Sequence, residues 1–262
     1  MWCRNCNIET NEEECPICGE KTIEDLPTEV YWCKTCKIPI IQTINQADKG
    51  ICPICGGTTK YLSTDLRPVF PEERLLLEIL LDKHPQELSK SSIWAANNRY
   101  YIDGKAISIP NSVFQHADTD AISEKLEVSA ASNTYEYFDK YIEAFINANR
   151  NRLNYLKNEA FEFVRKTASG FDEERLVISF SGGKDSTVTA DVVVKALSNP
   201  SLVHIFGNTT LEFPTTIKYA EMYRKNHPQA IFLFAKNEEQ VFYDVCEDIG
   251  PPARMMRWCC SM

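Results

Sequence analysis

A chain of 262 residues with 44% hydrophobic and 25% charged residues is composed like an ordinary soluble globular protein, and holds one large domain or two to three small ones. No apolar run reaches the length of a membrane span and Met1 to Cys6 has no signal-type apolar stretch, so a cytoplasmic location and no membrane partner are expected. The formal charge of −9 argues against a surface that grips nucleic acid by bulk electrostatics, while leaving room for a local basic patch.

The first sixty residues are set by cysteine. Eight of the eleven cysteines form four Cys-x-x-Cys pairs before residue 56: Cys3 and Cys6, Cys15 and Cys18, Cys33 and Cys36, Cys52 and Cys55. In a chain without a secretion signal such pairs are metal ligands in preference to disulfides. The halves repeat, with Trp2-Cys3-Arg4-Asn5-Cys6 matched by Trp32-Cys33-Lys34-Thr35-Cys36, and Cys15-Pro16-Ile17-Cys18-Gly19 by Cys52-Pro53-Ile54-Cys55-Gly56. Two turns per half complete a tetrahedral four-thiolate site, which predicts two structural Zn²⁺ ions in tandem ribbons, 1–24 and 30–60. Iron in a rubredoxin-like site is the chemical competitor; a thioredoxin-like redox pair would need a βαβ context that is missing here. Acidic residues crowd the first ribbon and its connector (Glu9, Glu12, Glu13, Glu14, Glu20, Glu24, Asp25, Glu29), favouring a structural or protein-docking role over direct nucleic-acid binding.

Residues 61–130 read as a small α+β module. Leu75, Leu76, Ile79 and Leu80 predict a short helix over Glu72 to Leu81, and Tyr100 to Ile107 predicts a hairpin around Asp103-Gly104. Trp94, Tyr100 and Tyr101 are assigned to core packing ahead of a ligand face. Ser129 to Thr134 reads as a polar linker. Residues 131–172 then predict a long amphipathic helix (Phe138, Ile142, Phe145, Leu153, Leu156, Phe163) packed against the sheet that follows.

From residue 173 the pattern is α/β. Apolar Leu176 to Phe180 leads into Ser181-Gly182-Gly183-Lys184-Asp185-Ser186 and then a helix; Leu202 to Phe206 and Ala230 to Ala235 are further buried strands, and Pro214 opens the helix between them. Alternating strands and helices imply a parallel sheet whose ligand binds at the carboxyl ends of its strands, on the rim shared by Ser181–Ser186 and Asn208–Thr210. A glycine turn entering a helix N-terminus is an anion site, because free N–H groups and the helix dipole converge there. The run is not a Walker A loop, since Ile178 stands where that motif needs glycine.

Three blocks carry a family resemblance: Ser181 to Ser186, Asn208 to Pro214, and Gly250 to Cys260. Together they are similar to the phosphoadenosine phosphosulfate (PAPS) reductase family, a branch of the PP-loop ATP pyrophosphatase superfamily. Asn208 and Thr210 replace that family's usual Asp and Gly. The resemblance implies a PP-loop α/β fold and an adenine-nucleotide ligand, ATP or a sulfonucleotide (PAPS or APS), with Mg²⁺. It implies nucleotide binding by Ser181, Gly182, Gly183, Lys184, Asp185, Ser186, Asn208, Thr209 and Arg254, and catalytic roles for Lys184, Asp185 and Arg257. The two glycines are expected to take positive φ, and Asp185 to orient Mg²⁺ or cap the helix. Cys259 and Cys260 supply at most two ligands, so an iron–sulfur cluster is not expected in this chain alone. Cys246 is expected to be a buried helical residue.

Three strands are legible where the superfamily commonly has five, so the PP-loop domain, 173–262, is expected to be partial. Sulfur transfer to a macromolecule activated by adenylation, as in DNA phosphorothioation or tRNA thiolation, is the leading functional expectation, with a nucleic-acid acceptor or a protein partner. A sulfonucleotide reductase needing residues beyond Met262, or a non-catalytic zinc-ribbon adaptor, are the alternatives.

Overall fold

A computed structural model of the chain describes residues 2–3, 5–6, 8–10, 12–22, 28–43, 46, 48–96, 98–236 and 242–253. It divides into two compact units, Met1–Leu153 and Asn154–Met262.

The first unit begins with two short antiparallel strands, β1 (Trp2–Cys3) and β2 (Ile8–Glu9). The second ribbon is larger. Its strands β3 (Thr28–Cys33), β4 (Ile38–Thr43) and β5 (Lys60–Ser63) form a sheet in the order β4-β3-β5. Ile38 and Ile40 are buried with Cys33 and Cys52. The buried Gln42 side chain ties the strand to the second knuckle, donating to the carbonyls of Asp48 and Ile51 and accepting from the Gly50 N–H.

The α+β module adds β6 (Arg67–Pro68), α1 (Pro71–Leu80), β7 (Ile93–Ala96), β8 (Arg99–Ile102), β9 (Lys105–Ile107), α2 (Asn111–Gln115) and α3 (Thr119–Ala130). The four strands form one antiparallel meander, β6-β7-β8-β9. Pro71 at the first helical position and Glu72 and Glu73 in the first turn start α1 as its sequence predicts. Asp103 and Gly104, at φ 48° and 79°, make the two-residue turn whose twist matches a hairpin. Trp94 and Tyr101 are core residues, as expected; Trp94 Nε1 donates to Ser92 Oγ at 2.9 Å. The Trp32 ring of the second ribbon packs with them and lies against Gly104, where an added Cβ would stand 2.3 Å from Trp32 Nε1. Ribbon and module thus share one core.

Two expectations need correcting. Residues 129–134 are not a free linker: Ser129 is buried, and Asn133 Oδ1 accepts from the buried Arg74 at 2.7 Å. Arg74 also donates to Gln86, and Glu78, one turn on, accepts from the N–H groups of Gln86 and Leu88, so a buried polar network pins the segment to α1. The long helix is broken at Asn149 into α4 (Glu136–Ala148) and α5 (Arg150–Ala168). Ile142 and Phe145 pack on Trp32, Trp94 and Tyr101 within the first unit, while Leu153, Leu156 and Phe163 are exposed. The break follows from Asn149, whose Oδ1 accepts from Ile41 N at 2.6 Å and whose Nδ2 donates to Pro39 O at 3.2 Å. Both groups lie on the free edge of β4, and a peptide-like side chain satisfies them.

In the second unit a 3₁₀ turn (Glu173–Arg175) precedes β10 (Val177–Ser179), α6 (Lys184–Leu197), β11 (Val203–Asn208), α7 (Pro214–Asn226), β12 (Ile231–Lys236) and α8 (Phe242–Ile249). The strands make a parallel sheet in the order β10-β11-β12, confirming the α/β class. Two successive right-handed crossovers in one direction put α6 and α7 on the same face. There Ile178, Phe180 and Phe206 pack with Ala190, Ala220 and Tyr223. The opposite face leaves Val177, Ile231 and Leu233 exposed. His204 is buried on the covered face, with Nδ1 2.9 Å from the Leu202 carbonyl; burial holds its pKa below the ordinary value. Among the described residues no helix is long and apolar enough to cross a membrane.

Candidate functional site

Two kinds of site emerge. In each ribbon the four sulfur atoms lie within 4.8 Å of one another: Cys3, Cys6, Cys15 and Cys18 in the first, Cys33, Cys36, Cys52 and Cys55 in the second. Sulfurs on a tetrahedral zinc with bonds near 2.3 Å are about 3.8 Å apart. The separations of 3.5 Å (Cys3–Cys18), 3.5 Å (Cys33–Cys55) and 3.9 Å (Cys36–Cys52) fit that ion. The knuckles are copies of each other. Gly19 and Gly56, at φ 70° and 68°, donate to the carbonyls of Cys15 and Cys52 at 2.8 Å each. The backbone then turns an N–H on the last thiol of each ribbon. That of Glu20 lowers the Cys18 pKa to about 6, and that of Gly57 lowers Cys55 to about 7. A hydrogen bond with Cys18, with burial, pushes Cys6 up to about 12, and burial raises Cys36. A closed four-sulfur set leaves no position for substrate, and the arrangement is compatible with structural zinc.

The second site lies at the carboxyl ends of β10 and β11. Phe180, buried and bonded through its N–H to Ile205 O, ends the first strand. Gly182 then takes φ 74°, and a Cβ there would meet Thr216 Cγ2 at 3.1 Å and Tyr219 Cδ1 at 3.7 Å. The chain approaches α7 closely at this residue. Gly183 caps α6 with φ −81°, and a Cβ on it would meet only Ser181 Oγ at 3.5 Å. Only the first glycine therefore requires the left-handed region, which corrects the expectation that both do.

The loop braces itself. Ser186 Oγ accepts from Ser181 N and Oγ at 3.2 and 3.1 Å and donates to Gly183 O at 3.0 Å. Both serine hydroxyl protons are thus committed inside the loop. The first helical bond closes at Thr187 N to Gly183 O, and Thr187 Oγ1 lies 3.2 Å from Tyr219 OH. The N–H groups of Lys184, Asp185 and Ser186 come before that first bond and face the helix entry. Asp185 does not cap α6, since no side chain bonds at its N-cap; it pairs with Lys184 Nζ at 2.5 Å, and both side chains are almost fully exposed. A positive helix end, three backbone donors and a mobile ammonium make a receptor for a polyanion.

Residues 175–262 match the phosphoadenosine phosphosulfate reductase domain family. The chain is also similar to two uncharacterized proteins of Methanocaldococcus jannaschii, 30% identical over 126 residues and 31% identical over 128. Each match takes in 48% of this chain but only 25% and 29% of the relatives, so the chain spans less than a third of their length. No solved structure matches it.

Within the matched segment, the parallel register sets the Asn208 turn on the same rim as the glycine loop. Asn208 Oδ1 accepts from Thr210 N at 2.8 Å, Thr209 Oγ1 donates to Glu212 Oε1 at 2.9 Å, and Thr210 adopts φ 70°. Where the family's glycine would take this conformation freely, threonine is held in it by the Asn208 side chain and by Phe242 N, which donates to Thr210 Oγ1. Arg254, Arg257, Cys259 and Cys260 lie outside the described residues. Cys246 is half-buried on α8, more open than its reading as a buried residue. Sequence reasoning gave no role to Tyr219 or Thr216, which back the glycine loop from α7; the one available signal was their position in the first turn and a half after Pro214.

Proposed function

We propose that Ser181–Ser186 binds the phosphate end of an adenine nucleotide, and that the protein is a cytoplasmic PP-loop enzyme of sulfur chemistry. In this reading it activates an acceptor by adenylation. The acceptor oxygen attacks the α-phosphorus of ATP and pyrophosphate leaves; a sulfur nucleophile then attacks the carbon that bears the adenylated oxygen, and AMP leaves with that oxygen. The observation that carries the reading is the entry of α6: a close-packed Gly182 at φ 74°, followed by helix N–H groups that precede the first intrahelical bond. The family match over 175–262 supports a nucleotide as the anion. Lys184 would move from Asp185 to the phosphates, Asp185 would then be free for Mg²⁺, and Arg254 and Arg257 would add bidentate phosphate contacts. Sulfonucleotide reduction, which needs an accessible attacking thiolate, is the alternative reading. The acceptor proposed is a nucleic acid, with the zinc ribbons as the structural or docking part.

Calorimetry with ATP and with inorganic pyrophosphate tests the site. A valine at position 182 must adopt φ near 74° and push on Thr216, so Gly182→Val should abolish binding of both. Unchanged ATP affinity in a folded Gly182→Val protein would sink the assignment. Pyrophosphate release from ATP that depends on an added RNA or DNA acceptor tests the reaction.

A further inference from the structure

Between β11 and α7 the chain turns through Thr209 to Phe213. Leu211 and Phe213 face water, 48% and 76% exposed, while Glu212 between them is half-buried. One carboxylate oxygen is occupied, Oε1 accepting from Thr209 Oγ1. The other, Oε2, is out of contact with solvent and has no hydrogen-bond partner among the described residues. The turn around it is held firmly by the bonds from Thr210 N to Asn208 and from Phe242 N to Thr210. A desolvated acceptor left open in a braced loop is costly, so such groups signal a donor supplied from outside.

The chemistry of that donor can be narrowed. A bare phosphate would be repelled by the carboxylate. A divalent cation needs several oxygens, but Asn208 Oδ1 and Thr209 Oγ1 are already engaged, and Glu212 belongs to no cluster of three acidic or histidine side chains among the described residues. A sugar hydroxyl is a neutral donor of the right kind, and carboxylates at strand ends commonly take ribose hydroxyls. The exposed Leu211 and Phe213 on either side offer the apolar surface a base would cover. Adjacent parallel strands are about 4.8 Å apart, so one nucleotide can reach both loops.

We propose that Glu212 accepts a hydrogen bond from a ribose hydroxyl of the nucleotide whose phosphates occupy Ser181–Ser186, and is the residue that selects ribonucleotides. The inference rests on the nucleotide reading of that loop. Its test is calorimetry on the full chain with ATP, 2′-deoxyATP, 3′-deoxyATP and inorganic pyrophosphate. The unmodified protein should bind ATP about tenfold or more tighter than one of the two deoxy analogues, since a hydrogen bond to a charged group is being lost. Glu212→Gln keeps an acceptor for Thr209 but turns the free oxygen into a donor. It should erase that preference, weaken ATP by a similar factor and leave pyrophosphate affinity unchanged. Equal binding of all three nucleotides by the unmodified protein overturns the inference while leaving the phosphate site standing. An equal loss of ATP and pyrophosphate in Glu212→Gln would overturn it in favour of a structural role, and a loss confined to Mg²⁺-dependent binding in favour of a cation site. If the unmodified chain binds neither ATP nor pyrophosphate, the nucleotide reading itself has failed.

Discussion

The contact between Trp32 and Gly104 makes the second ribbon and the α+β module one folding unit, and Gly104→Ala tests this. The added Cβ would lie 2.3 Å from Nε1, 2.5 Å from Cδ1 and 2.6 Å from Cε2 of the indole, roughly 1 Å inside van der Waals contact. The ring is 6% exposed, packed with Trp94 and Tyr101, and cannot swing aside freely. Overpacking of this kind costs about 1–3 kcal/mol. Holding alanine at φ 79° adds about 1–2 kcal/mol. The sum, about 2–5 kcal/mol, is a large part of the ~5–15 kcal/mol that keeps a domain folded. Because Cys33 follows Trp32 in β3, displacement of the ring should also loosen the second metal site. Gly50→Ala is the control: φ is 84° there, but nothing lies within 4 Å of the new Cβ, so only the backbone cost of about 1–2 kcal/mol applies. Urea denaturation in the presence of zinc, followed by circular dichroism, gives the stabilities, and a chromophoric chelator gives the rate of zinc release. Gly104→Ala should lose clearly more stability than Gly50→Ala and release one of its two zinc ions faster. Equal losses for the two variants, or unchanged zinc release, would refute the shared core.

Elemental analysis should find two zinc ions per chain, and Cys15→Ser should lose one while the second ribbon keeps its own. The Arg67 guanidinium, forked onto Glu73 at 2.6 Å, holds that carboxyl below its ordinary value of 4.5. A depressed carboxyl binds fewer protons folded than unfolded, so its stabilisation is present above pH 4.5 and fades as pH falls through the folded value. Glu73→Gln should flatten that acid limb in a pH series of denaturation midpoints. Removal of Arg74 should destabilise the first unit by roughly 3–5 kcal/mol, because it takes away the cation 3.9 Å from buried Glu78 and the donor to Gln86 and Asn133; thermal melting of Arg74→Met checks this.

Much of this was legible in the sequence because its signals are local. Cysteine spacing alone brings out the two four-sulfur sets, the Asp103-Gly104 pair fixes a hairpin, and Ser181 to Ser186 between an apolar run and a helix marks the glycine turn that enters α6. Long-range partners were not legible. Nothing near Asn149 announces that its side chain belongs to a strand more than a hundred residues earlier, so the helix through it looked continuous. Ser129 to Thr134 is polar by composition, yet its anchor is a buried arginine on α1. At the glycine loop, pattern supplied two glycines but not which of them needs positive φ; that depends on Thr216 and Tyr219 pressing from α7.

Asn149 also bears on how the margin of β4 is closed. Replacing it with alanine would favour one unbroken helix by about 0.5–0.7 kcal/mol of intrinsic propensity. The same change would strip the Ile41 N–H and the Pro39 carbonyl of their partners, at about 1–3 kcal/mol for each buried group. Beyond the net loss, it would uncover two backbone groups on the outer margin of β4, spaced to receive a strand from another molecule. Helix α4 covers β4 and this amide side chain satisfies its margin, so an apparently favourable helix-straightening mutation there would leave two backbone groups of the strand unpaired.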